Sequence, residues 1–290
     1  MYNLYIIIMG YIIELKTSLA SAIKIVIDAM NSLLTDANFI FYPYYIEESD
    51  DSPYEENNHK NIGGIVVKEV NKTGKILVYM RLDADKFDIY KYNYNKKKLT
   101  LGIDINNLFK CLKCMSYFDT MIWLVDEDDI YKLIIVLESS ERKEKKTFKI
   151  NLMDIEEESY EIAPIQFPYS ISLPSQDFHK YCKDMGASTD KIEIKATYNK
   201  LFFSGKGEIG NIEFEVGETN GGLSIISTSN NSNEIVQGLF ELKFLLIFTK
   251  CTNLCNQVIL FLKNDYPIIV TYQIATLGEI KLVLSPSKAN

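Results

Sequence analysis

The sequence predicts an α+β fold of two similar domains, each with two short helices packed on antiparallel sheets. Runs of alternating apolar and polar residues recur along most of the 290-residue chain and mark strands. Four short stretches instead repeat their apolar residues at helical spacing. The order strand, helix, several strands, helix, several strands then occurs twice, with similar pattern and little identity. Each series is about 130 residues long, an ordinary domain length.

Composition sets the bounds. Hydrophobic residues at 47%, charged residues at 24% and seven prolines describe a folded chain able to bury a sizeable core. The net charge of −8 argues against a surface that coats nucleic acid all over, and leaves room for a local basic patch. Five cysteines, an odd number with no cleavable signal segment before them, point to a reducing compartment. The opening MYNLYIIIMGYIIEL is apolar but short, lacks a basic flank and contains Gly10. It is expected as strand, not as a membrane span or signal peptide, and Met9 is a candidate internal start.

In the first series, residues 17–34 carry Leu19, Ala22, Ile23, Val26, Met30 and Leu33 at helical spacing, with Ser21, Lys24, Asp28 and Asn31 opposite. The strand FIFYPYY follows, and then IEESDDSPYEENNHKN breaks all periodicity and is expected as an exposed loop. GGIVVKEV, KILVYMRL and KFDIYKYNY are strands, and DINNLFKCLKCM is a short helix with Asp104 or Asn106 as its cap. TMIWLVDE and IYKLIIVLES are strands separated by an Asp-rich turn. Beyond Ser139 the charge is high, periodicity is lost and two prolines close the segment, which are linker features. Leu152, Met153 and Ile155 nevertheless give it more apolar material than an inert linker needs.

The second series comprises strand YSISL, helix SQDFHKYCKDM, strands KIEIKAT, KLFFSGKG and NIEFEVGE, and a Ser- and Asn-rich loop. A helix near LKFLLIFTKCTNL and strands QVILFLK, PIIVTYQIA and GEIKLVLS complete it. The expected organisation is a first domain over 1–140, a connector over 141–166 and a second domain over 167–290.

The helices place cations at corresponding points of the two series. The first series has Lys24 on its first helix and Lys110 and Lys113, three apart, on its second. The second has Lys180 and Lys183, again three apart and beside His179, and Lys250 at the end of its last helix. One such helix is ordinarily a solvated face; four in equivalent positions suggest a shared surface, with acidic residues expected in loops and turns. Lysine offers a point charge on a flexible stem, suited to phosphate and not to reading bases. With no arginine and no aromatic stripe on these faces, the expected contact is with duplex backbone, non-specific and weakened by salt.

At this point the residues meet a family. LPSQDFHKYCKDM followed by a strand, LFFSGKGEIGNIEFEV and the ending YPIIVTYQIATLGEIKLVLSPS resemble proliferating cell nuclear antigen (PCNA), the eukaryotic-type DNA sliding clamp. KFDIYKYNYNKKKLTLGIDINNLFKCLKCM and FKINLMDIEEESYEI are similar to it in the first half, the latter at the family's interdomain connector. The resemblance covers most of the chain outside residues 1–11 and 47–61. It implies the DNA clamp fold and a ring, commonly a homotrimer, whose helices line a central hole. The pore cations it implies are Lys24, Lys110, Lys113, Lys180, Lys183 and Lys250, with His179 beside them. Ile25 and Asn31 depart from the family, which tends to have lysines there.

The resemblance further implies that strand Ile130–Leu137 of one subunit pairs with Gly210–Gly217 of the next, Ile130, Leu133, Ile135 and Leu137 meeting Ile212, Phe214 and Val216. The alternative is that both are internal strands. Leu152, Met153, Ile155, Pro267, Val283 and Pro286, with Ile76 and Leu77, match the family's front groove for short partner motifs, or else pack between domains. Asp154, Glu156, Glu157 and Glu158 keep the family's acidic connector.

The function so implied is a processivity factor that encircles double-stranded DNA and tethers DNA polymerase and other clamp-binding-motif proteins, with a clamp loader as a further partner. It implies no enzymatic activity, no cofactor and no membrane, in a nucleus or at a cytoplasmic replication site of a large DNA virus. The alternative is a clamp-fold adaptor in a checkpoint-like heterotrimer, or a viral transcription accessory. The composition, rich in Asn, Lys, Ile and Tyr, is compatible with a virus or another AT-rich genome.

Other signals lead elsewhere and are set aside. GKGEIG satisfies a dinucleotide-binding pattern but precedes a strand-like run, so a hairpin turn is expected. Cys111 with Cys114, and Cys251 with Cys255, are expected as free helix cysteines and not as a metal site. The cluster from Asp126 to Asp129 is expected as a solvated turn. His59 and His179 have no persuasive nucleophile beside them in sequence.

Overall fold

The computed structural model describes residues 10–45, 62–115, 120–157, 165–207, 210–227 and 234–288. The expected loop over 46–61, with His59, lies outside them, as do Met1–Met9 and Glu158. The chain forms two compact units: Met1–Lys24, Asp36–Val67 and Arg81–Glu156 in the first, Ile25–Thr35, Lys68–Met80 and Glu157–Asn290 in the second. Helix α1 (Ala20–Asn31) and strands β3 (Ile62–Val70) and β4 (Ile76–Asp83) are divided between them.

In the first unit β1 (Tyr11–Thr17), β5 (Ile89–Tyr92), β7 (Thr120–Asp126), β8 (Lys132–Ser139) and β9 (Glu144–Asn151) form an antiparallel sheet in the order β5-β1-β7-β8-β9. β2 (Asp36–Tyr45) pairs with β3 (Ile62–Val70) on one side and with β6 (Leu99–Asp104) on the other. Leu133 to Leu137 are all buried, which accounts for the unbroken apolar run of β8: both of its faces are covered. Phe39 and Trp123 meet in the core with ring centroids 5.9 Å apart.

Helix α2 (Ile105–Lys113) starts as expected, with the Asp104 carboxylate accepting from the Asn107 amide at 2.7 Å. It buries Ile105, Leu108, Cys111 and Leu112 in one stripe and leaves Lys110 and Lys113 exposed opposite.

The linker expectation is corrected at its start. Glu144–Asn151 is a strand, in register with β8 from Lys132↔Asn151 to Ser139↔Glu144. An edge strand has little to bury, and its run of charge hid the alternation of Phe148 and Ile150 with Lys149.

The second unit contains β10 (Tyr169–Pro174), α3 (Ser175–Gly186), β11 (Lys191–Ala196), β12 (Lys200–Gly207), β13 (Gly210–Gly217), β14 (Ser224–Ser227) and β15 (Val236–Glu241). α4 (Leu242–Phe248) follows and tightens into a 3-10 turn over Thr249–Leu254, before β16 (Gln257–Leu262), β17 (Ile268–Ile274) and β18 (Gly278–Leu284). One antiparallel sheet runs β13-β12-β11-β15 and another begins β14-β10-β16-β17-β18.

The stripe read from α3 is its buried face: Phe178, Cys182 and Met185 are all 0% exposed. Tyr181 beside them stacks on Phe203 and Phe214 of the sheet, at 5.3 and 5.9 Å between centroids. β12 and β13 pair antiparallel down to Gly207↔Gly210, as expected of a hairpin. Gly207 is obligatory there, because a Cβ would stand 1.7 Å from the Ser188 carbonyl oxygen.

Candidate nucleic-acid interface

The predicted cations fall three in each unit, with His179 as an addition in the second. In the first unit Lys110 and Lys113 are exposed on α2 and Lys24 is half-buried on α1. In the second Lys180 and Lys183 are exposed on α3, His179 is half-buried beside them, and Lys250 is exposed in the turn after α4. Lys110, Lys113, Lys180 and Lys183 form no ion pair with a described residue.

The outward helix faces are more mixed than the sequence suggested. Asp177 and Asp184 are exposed on α3, one turn either side of Lys180, with Asp184 directly after Lys183. Lys250 is not free: its Nζ donates to Asp28 Oδ1 on α1 at 2.7 Å and to Ser32 Oγ, just past the end of α1, at 2.9 Å. The expectation that acids concentrate in loops and turns is therefore corrected at Asp177 and Asp184, which add to Asp28, already read on a helix. An exposed helix can carry either sign on the face away from the core, so apolar periodicity does not exclude them.

The expected subunit edge is also corrected. Strand β8 begins at Lys132, leaving Ile130 exposed in the turn before it, and β8 is hydrogen-bonded on both sides, to β7 and β9. Leu133, Ile135 and Leu137 are 0% exposed and belong to the core of their own unit. The outer strand on this side of the sheet is β9, with β5 at the opposite edge.

The other predicted strand, β13, does lie at the margin of its sheet. Ile212, Phe214 and Val216 alternate, half-buried, with exposed Asn211, Glu213 and Glu215. β9 has the same build with the opposite charge: Phe148 and Ile150 are half-buried, and Lys145 and Lys149 are exposed on the other face. Sequence reading missed β9, although KTFKIN carries a period of two once the preceding charge run is set aside.

Among the proposed groove residues, Leu152, Met153 and Ile155 belong to the first unit. Met153 is 46% exposed, and its amide donates to the Gly102 carbonyl at the open side of β6 at 2.8 Å. Leu77, Pro267, Val283 and Pro286 belong to the second unit; Pro286 is exposed and the others are half-buried. Ile76 is 1% exposed, the inward-facing start of β4, so it packs inside its unit and offers no surface to a ligand.

All five cysteines are free thiols. Burial pushes Cys182 and Cys251 far above the ordinary thiol range, and Cys111 upward too, with Cys114 beside it adding to the shift. Among the described residues no group of three His, Cys, Asp or Glu side chains is arranged to hold a metal ion. Asp126 is 9% exposed and accepts the Asp128 amide at 3.0 Å, so the acidic turn is partly an internal Asx turn. No described helix is long and apolar enough to cross a membrane.

Comparison with known proteins gives two family matches in chain order. Residues 54–160 match the model described as "Proliferating cell nuclear antigen, N-terminal domain", and residues 161–287 match its C-terminal domain. The chain is also 27% identical over 294 aligned residues to a "Probable DNA polymerase sliding clamp" of Acanthamoeba polyphaga mimivirus. The alignment takes in 95% of this chain and 62% of that relative, which is the longer protein.

Proposed function

We propose that this chain, which belongs to the proliferating cell nuclear antigen family and has its two-domain clamp fold, is a sliding clamp that encircles double-stranded DNA as a processivity factor. The observation that carries this reading is the recurrence of exposed lysines three apart on α2 and α3, one pair in each unit, on the side opposite the buried stripe. Sparse, unpaired cations attract phosphate without fixing register, as a ring that must slide requires. Encirclement turns dissociation of a tethered polymerase into sliding and keeps the enzyme at high local concentration. No chemical step is assigned to the chain. Its place of action is a site of DNA replication.

The finer proposal is a homotrimer closed by β9 of one copy against β13 of the next. Each strand has a margin free to continue a ladder, and unlike edges close into rings when the angle allows. If the half-buried apolar residues of both strands share one face, Lys145 and Lys149 meet Glu213 and Glu215 on the other. Complementary edges on a single chain support self-assembly over a heterotrimer of unlike chains. Partner motifs of DNA polymerase and of other clamp-binding proteins, and a clamp loader, would use Leu152, Met153, Ile155, Leu77, Pro267, Val283 and Pro286.

The test is retention on circular duplex. Charge reversal of Lys110, Lys113, Lys180 and Lys183 together should shorten retention and clamp-dependent synthesis while native mass still shows the trimer. Retention equal to wild type would reject the channel role, and a monomer at every concentration would reject the ring.

A further inference from the structure

We infer a second nucleic-acid contact, outside the helices: a platform for single strands at one end of the first unit, made by Tyr44, Tyr45 and Tyr94 with Lys96, Lys97 and Lys98. The register of β2 and β6 brings these residues to one end of the sheet. Phe41 pairs with Leu99, so β2 runs on through Tyr44 and Tyr45 past the point where the chain, leaving Lys98, enters β6. The Tyr90 hydroxyl of β5 lies 2.6 Å from the Tyr42 carbonyl oxygen and 2.9 Å from that of Gly64, which holds β5 against this end.

The segment from β5 to β6 is a built loop. The Asn93 amide donates to Ile12 O at 2.8 Å and its side chain to Tyr11 O at 2.9 Å. The Tyr92 hydroxyl donates to Lys96 O at 2.7 Å, closing the turn. Tyr92 and Tyr94 meet edge to face at 6.5 Å, and Lys96 Nζ stands 5.7 Å from the Tyr94 ring centroid.

On this frame Lys96, Lys97 and Lys98 are all exposed, and Lys96 and Lys97 form no ion pair with a described residue. Tyr44 and Tyr45 are 42% and 48% exposed. Lys86, beside Tyr44, adds a further cation, although Asp85 holds it at 2.9 Å.

Cations interleaved with open aromatic faces are what an unpaired strand needs: charge follows its phosphates, and rings stack its bases without regard to sequence. The outward faces of α2 and α3 offer lysines without such rings, which suits duplex backbone. An acidic protein segment would use the lysines and gain nothing from the tyrosine faces, so the combination favours single-stranded nucleic acid. Residues 46–61, which follow Tyr45 in sequence, carry six acidic side chains. The comparison is therefore made between full-length variants.

Fluorescence anisotropy with a labelled oligothymidylate of about 20 nucleotides, longer than one aromatic-groove site, tests the assignment. K96E/K97E/K98E should weaken binding about tenfold or more at low salt. Y44A/Y45A should weaken it about fivefold or more with its salt dependence unchanged, because stacking is lost and charge is not. K110E/K113E should weaken single-strand binding less than K96E/K97E/K98E does and weaken duplex binding more, separating this contact from the duplex channel. All the altered side chains are on the surface, so circular dichroism and thermal midpoint should match wild type. Unchanged affinity in either loop-end variant overturns the proposal. So does equal competition by polyglutamate at equal charge, which would make this end a general anion surface.

Discussion

The carbonyl oxygen of Met153 stands 2.2 Å from the point that a Cβ on Gly102 would occupy, while the Gly102 carbonyl accepts the Met153 amide at 2.8 Å. The segment after β9 thus lies across the open side of β6 at the one residue without a side chain. A second hydrogen bond, from Asn38 Nδ2 to Ile155 O at 3.4 Å, holds the same stretch two residues on.

Gly102→Ala should push this segment off the sheet. The expected cost is about 1–3 kcal/mol, the usual range for overpacking a closed site, read as a lower thermal midpoint. Hydrogen exchange at the Met153 amide should quicken at the same time. Unchanged exchange would mean that the segment is held from elsewhere.

Asp28→Asn should release Lys250. Duplex affinity is expected to rise, and its salt dependence to steepen by about 0.9 in log–log slope, the increment for one more cation on phosphate. Lys250→Ala in the wild-type background should cost less affinity than Lys180→Ala, since Lys250 already has a carboxylate partner. Filter binding across a salt series checks both.

Asp104→Ala removes the acceptor for the Asn107 amide and should cost about 1 kcal/mol of stability. Asp104→Asn, which keeps an acceptor, should recover most of it in denaturant titration.

Hydrogen bonds from Lys243 and then Lys75 hold the Glu241 carboxyl below its ordinary range. A depressed carboxylate stabilises the fold at neutral pH, and that contribution disappears as pH falls through the folded-state value. Wild type and Glu241→Gln should differ in thermal midpoint at pH 7 and converge below about pH 4, the unfolded carboxylate range. A gap that persists in acid would assign the effect to packing.

Thiol alkylation under native conditions should modify exposed Cys114 first. Cys182 and Cys251, buried and with their thiolates disfavoured, should react only on unfolding. Mass spectrometry of a timed iodoacetamide series distinguishes them.

What the sequence disclosed follows how each element meets water. The stripes of α2 and α3 and the runs of β7 and β8 were legible because each buries a face, and burial imposes period and polarity. β9 was misread as linker because its margin is open and nothing forces its exposed positions to be apolar. The Lys250–Asp28 pair joins residues far apart in sequence, and no local pattern announces it. Ile76 looked available because strand alternation tells which residues share a face and leaves open which face is inward. The lysines of α2 and α3 stand out by repetition, and a repeat of one sign says nothing of acids on the same helix, such as Asp177 and Asp184 on α3.

The opposite charges of β9 and β13 also decide which encounters fail. Two copies meeting through β9 would set lysine against lysine, and two meeting through β13 would set glutamate against glutamate, so mirror-like pairs repel before any backbone ladder can form. In the proposed ring a collision succeeds only in the head-to-tail sense, which would give every subunit the same direction of travel around it. All copies in that proposed ring would then turn the same side toward an approaching enzyme, and its two surfaces would be chemically distinct.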